Sequence, residues 1–331
     1  MKNDIPSHLE TREKEPSISA PGTARREFLK ELGAMALAWG AASPLAGAVP
    51  GALHNPVGYS TISWPDNQLD QALEGISSVG FKGVQLMGEV VENFAGDNAL
   101  RLKERLTKLH LVATALSCHN VPLAPGKSDV NVANFRLDIE FMKTLGGLYF
   151  QVTDGGRWNV NYTDDQVKTL GASMNELGKM AKDAGLVLGY HPHVGMLGET
   201  REGVRRVLDA TQPEYVKLIV DVAHLALGGS DPAEVIRTYR ERLLFFHLKD
   251  VRKDTDELMH KDHAAGERMR LRFCEIGTGV LDFQPIIQAI RDVKFKGWMV
   301  VELDRYTPPP GGPTEAARTN KAALEKLGFR I

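Results

Sequence analysis

The chain has 331 residues, 43% hydrophobic and 25% charged, with a formal net charge of -2 at pH 7. That is ordinary globular composition, enough for a large core, and the near-neutral balance excludes an electrostatic case for nucleic acid or an anionic membrane surface. The two cysteines, Cys118 and Cys274, form no C-x-x-C pair, so zinc-knuckle and thioredoxin motifs are excluded, and both are expected as separate small apolar residues.

Residues 1–22 are polar and rich in charge, Pro and Ser. The stretch Thr23-Ala24-Arg25-Arg26-Glu27-Phe28-Leu29-Lys30 resembles the twin-arginine export signal, with Ala24 where Ser or Thr is usual. A weakly apolar segment, 32–48, follows and ends in Ala46-Gly47-Ala48, a small-x-small cleavage pattern. It is too short and too rich in Ala and Gly to read as a membrane span. Residues 1–48 are therefore expected to be a twin-arginine-type signal peptide, with an ordinary amphipathic helix as the alternative. The mature protein is expected to be periplasmic or secreted, with no stable membrane insertion after cleavage, and 49–331 to be one folded domain.

From residue 57 short apolar runs alternate with helical patterns. Strands are expected at 57–63, 83–87, 111–117, 148–152, 186–191, 216–221, 243–248 and 298–302, with helices at 69–79, 99–109, 134–145, 164–184, 199–210, 232–239, 283–291 and 314–327. Gly80, Gly146 and Gly185 punctuate helix ends. Asp231-Pro232 offers a cap followed by Pro at the first helical position. Eight alternating units imply a parallel sheet buried on both faces. Its simplest closure is a (β/α)8 TIM barrel, an α/β fold. The rival open sheet lacks support, since no G-x-G-x-x-G follows the first strand. The connection 250–281 shows no obvious helix, and loops of that length in compact domains are usually functional.

Polar residues gather at four strand ends: Tyr190-His191-Pro192-His193, Asp221-Val222-Ala223-His224, His247-Leu248-Lys249-Asp250 and Glu302-Leu303-Asp304. In a barrel these ends share one rim, where such folds carry their chemistry. One strand-end His is more often a hydrogen-bonded structural residue, and one carboxylate more often a helix cap. His, Asp, His and Glu on successive strands together suit a metal site. His191, Asp221, His247 and Glu302 are expected to hold one divalent ion, and their mixed N/O set allows manganese, cobalt, zinc or iron.

From residue 57 onward the sequence resembles the xylose isomerase-like sugar phosphate isomerase/epimerase superfamily. The resemblance rests on Leu188-Gly189-Tyr190-His191-Pro192-His193, Asp221-Val222-Ala223-His224-Leu225, His247-Leu248-Lys249-Asp250-Val251, Gly277-Thr278-Gly279-Val280-Leu281-Asp282-Phe283 and Gly297-Trp298-Met299-Val300-Val301-Glu302. The Tyr-His-Pro-His and His-Leu-Lys-Asp segments are most similar to inosose dehydratase-like secreted members. The resemblance implies metal ligands at the ends of strands five to eight, which Asp221, His247 and Glu302 match. Many members have Glu on strand five where this chain has His191, so His193 or the strand-four Gln151 remain alternatives for that ligand.

A divalent ion on such a rim acts as a Lewis acid toward a carbonyl and a neighbouring hydroxyl, and a general base and acid must flank it. His193, His224, Lys249 and Glu275 are the candidate acid–base groups. Arg272, Gln151 and Trp158 are candidate substrate contacts, with Trp64 a further aromatic on the rim. The expected activity is that of a metal-dependent isomerase/epimerase or dehydratase-type lyase. It would act on a keto-sugar, keto-glycoside or inosose by proton abstraction next to the carbonyl. The alternatives are a secreted sugar-binding barrel with a vestigial metal site, or a metal-dependent hydrolase of the same fold, which needs more ligands and a basic groove. The expected partner is a small sugar or polyol, with no nucleic acid; a homo-oligomer is allowed.

Overall fold

A computed structural model describes residues 52–94, 96–123, 128–155, 161–254, 272–304 and 310–331. The expected signal peptide and Trp158 lie outside the described residues. The barrel staves are β1 (Val57–Ser60), β2 (Gly83–Met87), β3 (Val112–Val121), β4 (Tyr149–Asp154), β5 (Val187–Tyr190), β6 (Val216–Asp221), β7 (Leu243–Leu248) and β10 (Met299–Val301). They close in the order β1-β10-β7-β6-β5-β4-β3-β2, every neighbouring pair parallel. The expected eight-stranded barrel is thus the fold. Beyond β7, β8 (Asp250–Val251) and β9 (Phe273–Cys274) form a separate antiparallel ribbon.

The helices are α1 (Leu69–Val79), α2 (Glu89–Phe94), α3 (Asp97–Lys108), α4 (Ser128–Leu145), α5 (Asp164–Asp183), α6 (Arg201–Ala210), α7 (Val222–Leu227), α8 (Pro232–Thr238), α9 (Phe283–Asp292) and α10 (Pro313–Lys326). Their starts follow local chemistry. Thr163 and Gln166 form a reciprocal capping box at α5, and Asp231 caps α8 with Pro232 behind it. None of the helices among the described residues is long and apolar enough to cross a membrane. Cys118 and Cys274 are both free thiols, as expected.

The staves differ from expectation at their ends. β1 stops at Ser60 because the Ser60 hydroxyl accepts the Ile62 N–H and starts a 3-10 turn, Thr61–Ser63. β5 stops at Tyr190, although the His191 N–H still reaches the Val152 carbonyl at 2.8 Å; the following Pro192 has no N–H to continue the ladder. The helices α2 and α7 were not expected from the sequence. α7 follows β6 without a loop because Asp221 Oδ1 accepts the N–H groups of Ala223 (3.0 Å) and His224 (2.9 Å).

The described ends of the 250–281 connection, 250–254 and 272–281, meet on one carboxylate. Asp250 Oδ1 accepts from Val251 N (2.7 Å) and Leu281 N (3.0 Å), and Oδ2 from Gly277 N (2.9 Å) and Gly279 N (3.0 Å). This explains the Gly-Thr-Gly motif. Gly277 has φ +80°, and a Cβ on Gly279 would lie 2.3 Å from Asp250 Oδ1. Burial pushes the Asp250 carboxyl up to about 6, against the pull of these four amides.

Candidate metal centre and its rim

One ligand atom each from His191, Asp221, His247 and Glu302 lies within 4.8 Å of the other three, and all four residues are buried. The local structure commits one oxygen of each carboxylate outside the centre. Asp221 spends Oδ1 on capping α7. Glu302 gives Oε1 to the Gln85 side-chain N–H at 2.7 Å. Oδ2 of Asp221 and Oε2 of Glu302 therefore face the centre.

The same Gln85 orients His247. His247 Nε2 donates to Gln85 Oε1 at 2.7 Å, which turns Nδ1 toward Glu302 Oε2 (3.1 Å), His191 Nε2 (3.4 Å) and Asp221 Oδ2 (3.6 Å). Burial draws the His247 imidazole pKa down, but Glu302 and Asp221 outweigh it and hold it above the ordinary value. For the carboxyls the balance runs the other way. Burial raises both, and the positive charge of Lys249 and hydrogen bonds or charge from the histidines hold Asp221 and Glu302 well below the usual range.

His191 stands opposite, with Nε2 3.3 Å from Asp221 Oδ2 and Nδ1 3.1 Å from Gln151 Nε2. Gln151 Nε2 also reaches Ser117 Oγ at 3.2 Å, which leaves Gln151 Oε1 buried without a hydrogen-bond partner among the described residues. Turning that amide by half a rotation gives the orphaned oxygen the His191 Nδ1–H and leaves the Nε2 lone pair to the centre. Two imidazole nitrogens and two carboxylate oxygens, each fixed by a hydrogen-bonded neighbour, fit a divalent ion of the manganese-to-zinc type. Gln151 thus stands behind His191, and His193 lies outside the tetrad.

His193 belongs to a second group, with His224 and Asp304, whose ligand atoms also lie within 4.8 Å of one another. The His193 and His224 rings are 3.8 Å apart. The Val194 peptide sits between their Nδ1 atoms: its carbonyl is 2.8 Å from that of His193, and its N–H is 3.4 Å from that of His224. That assigns Nδ1–H to His193, whose Nε2 then bears a lone pair, and Nε2–H to His224. His224 Nε2 is buried with no hydrogen-bond partner among the described residues. Burial pushes His193 down to about 3 and His224 well below its usual value, which favours the neutral ring in both.

Lys249 is wholly buried between the two groups. Its Nζ is 2.9 Å from Asp221 Oδ2, 3.2 Å from Glu302 Oε2 and 2.8 Å from Asp304 Oδ1, and lies 4.5 Å from the Phe273 ring centre. Burial lowers the Lys249 pKa, but the three carboxylates outweigh it and keep the ammonium charged. Burial pushes Asp304 up to about 6 despite Lys249.

Of the remaining candidates, Arg272 is buried just before β9, and its carbonyl accepts the Arg252 N–H at 2.8 Å. Glu275 is half-buried on the turn after β9 and belongs to neither metal-competent group among the described residues. Trp64 is buried against Tyr59 at 5.8 Å, a packing role rather than an open rim face. Sequence reasoning missed Gln85 and Asp304 as site residues. A polar residue in the middle of the otherwise apolar Gly83–Met87 strand was the available signal for Gln85.

Comparison with known proteins fits this geometry. The chain is 28% identical to inosose dehydratase of Lacticaseibacillus casei over 289 residues, which covers 82% of this chain and 94% of that protein. Among solved structures it resembles the IolI protein with a bound zinc atom, at TM-score 0.66 and 18% identity over 82% of this chain and 98% of the other. It also resembles 3-keto-D-glucoside 4-epimerase from E. coli, at TM-score 0.63 and 19% identity over 82% of this chain and 99% of the other. Both structural likenesses speak to the fold. The family model for the xylose isomerase-like TIM barrel matches residues 73–327, and the chain belongs to that family.

Proposed function

We propose that this enzyme, of the sugar isomerase, epimerase and lyase kind, is a divalent-metal-dependent dehydratase acting on a keto-sugar, keto-glycoside or inosose. The observation that carries the reading is the buried tetrad beside two histidines of opposite tautomer. The relationship to inosose dehydratase over 94% of that protein's length supports elimination of water as the reaction. An ion held by His191, Asp221, His247 and Glu302 supplies Lewis acidity toward a carbonyl and its neighbouring hydroxyl.

The chain's own groups handle the protons. His193 Nε2, with its lone pair, takes the proton from the carbon next to the carbonyl. The imidazolium so formed at His193 returns that proton to the departing hydroxyl, which leaves as water, and the neutral His224 Nε2–H donates a hydrogen bond to the same oxygen. The carbon–carbon double bond that forms is conjugated with the carbonyl, and no net proton is gained or lost. Lys249 fixes a positive charge beside the carboxylates, and the Phe273 ring covers it and His224.

The test is turnover of an inosose and keto-sugar panel with and without chelator, repeated in deuterium oxide. We expect chelator-sensitive loss of water. General acid–base groups contribute about 10²–10⁴-fold, so His193→Ala should slow turnover at least about a hundredfold with the ion content intact. Unchanged rates in His193→Ala and His224→Ala would remove both from catalysis. Turnover insensitive to chelation would overturn the metal reading.

Export is proposed on Arg25-Arg26, the weakly apolar segment and Ala46-Gly47-Ala48. Replacing Arg25 and Arg26 by Lys should retain the protein in the cytoplasm, and continued export would sink the proposal.

A further inference from the structure

We infer that Lys249 and a divalent ion compete for the same two carboxylate oxygens, and that Asp304 is the positioning residue that receives the ammonium when the ion holds them. The inference rests on the reading that the tetrad binds one ion. Asp221 Oδ1 and Glu302 Oε1 are committed to α7 and Gln85, so the centre is served by Asp221 Oδ2 and Glu302 Oε2. Lys249 Nζ touches both, at 2.9 and 3.2 Å. A divalent ion on those oxygens would sit against the ammonium, and two cations a few ångströms apart in a buried site repel strongly.

The side chain is wholly buried, so solvent offers no retreat, and Phe273 closes one side. Asp304 Oδ1 is the third carboxylate of the cluster and already lies 2.8 Å from Nζ, so it is in place to hold the ammonium when the other two oxygens are taken. The charge count agrees with one ion. Three carboxylates against one ammonium leave two negative charges, which one divalent cation neutralises. A second ion on His193, His224 and Asp304 would place two more positive charges in the same buried volume. It would also need a lone pair from His224 Nε2, whose hydrogen-bond pattern puts a proton there.

The competition predicts that deleting a buried cation improves metal binding, and that Asp304 matters only through Lys249. The experiment is a cobalt(II) titration against a chromophoric chelator, with metal analysis. It compares wild type, Lys249→Met, Asp304→Asn and the double variant, with circular dichroism reporting folding. Lys249→Gln is measured alongside because it keeps a hydrogen-bond donor where Met leaves none. Wild type should bind one cobalt per chain. Lys249→Met and Lys249→Gln should bind it at least about tenfold more tightly, as expected for one charge removed at contact distance. Asp304→Asn should weaken binding at least about threefold when Lys249 is present, and by less than about twofold in the Lys249→Met background.

Unchanged or weaker affinity in both folded Lys249 variants overturns the competition. Equal weakening by Asp304→Asn in both backgrounds, or loss of a second cobalt, makes Asp304 a ligand and overturns its positioning role. No cobalt bound by wild type would instead sink the one-ion reading beneath both.

Discussion

On β7 alternate residues read Phe245 and His247, continued past the strand by Lys249; on β6, Ile219 and Asp221; on β10, Val300, continued past the strand by Glu302 and Asp304. Alternate residues of a strand share a face, so the barrel interior changes from apolar to charged within two residues along each of three staves. The lower layer, Ile219, Phe245 and Val300 with Ala115 and Leu244, packs as a cluster of its own, separate from the core between the sheet and the helices. Tyr149 stacks on Phe245 there, at 5.7 Å and 13°. The upper layer holds three carboxylates, an ammonium and four histidines, all buried but the half-buried His193. Buried ion clusters are weak sources of stability, because desolvation consumes most of the Coulomb gain. The two layers therefore divide the labour: apolar packing below holds the staves, and polar groups above are tolerated for what they bind.

The largest expected effect breaks or sharpens that division directly. Phe245→Ala should lower unfolding free energy by about 3–5 kcal/mol, the usual cost of deleting a fully buried Phe, read by denaturant titration. Cobalt affinity should stay within about threefold, because Gln85 rather than Phe245 sets the His247 tautomer. A tenfold loss of affinity would show that the layers act as one unit, through the 5.3 Å contact of Phe245 with His247.

Asp250→Asn comes next. It lies beyond the charged layer, and its carboxylate binds amides rather than ions. Asn can accept on one side only, so two buried N–H groups lose their acceptor, at about 1–3 kcal/mol each. A loss of at least about 2 kcal/mol by thermal or chemical unfolding is expected. Turnover should fall too, as β9 loosens its hold on Phe273 over Lys249. A loss below about 1 kcal/mol would mean that the 277–281 turn is not held by this carboxylate.

This contrast also explains what could be read in advance. Apolar runs of five to seven residues separated by helix-length segments revealed the staves, and His191, Asp221, His247 and Glu302 stood out because they lie at or next to the ends of those runs. The short helix α7 was hidden, since Val222–Leu227 reads as an apolar continuation of β6, and only the Asp221 cap distinguishes the two. The β8–β9 ribbon was hidden because its strands are two residues each and far apart in sequence. Asp304 lies outside any strand, and its value depends on Lys249, two staves' ends brought together only by closure. Gln85 was passed over because a single amide within Gly83–Met87 looks like a tolerated substitution until the barrel brings it against β7 and β10.

Gln85 therefore supplies the smallest and most discriminating prediction. Its amide joins the layers' edge: Oε1 accepts from His247 Nε2 and Nε2 donates to Glu302 Oε1, both at 2.7 Å. Neither atom faces the centre, so Gln85 acts on an ion only by holding His247 Nδ1 and Glu302 Oε2 toward it. Gln85→Leu keeps roughly the volume and removes both hydrogen bonds. Loss of such an orienting partner commonly weakens metal binding about 10–100-fold, or about 1.4–2.8 kcal/mol at 1.4 kcal/mol per factor of ten. Gln85→Glu is the sharper variant. It can still accept from His247, but as a carboxylate it cannot donate to Glu302, and it places a like charge 2.7 Å away from it. If orientation of both ligands matters, Gln85→Glu should bind cobalt more weakly than wild type although it adds a negative charge near the site. Tighter binding by Gln85→Glu would show that net charge, not the aim of His247 and Glu302, governs affinity, and the upper layer would then be an electrostatic trap rather than a built coordination site.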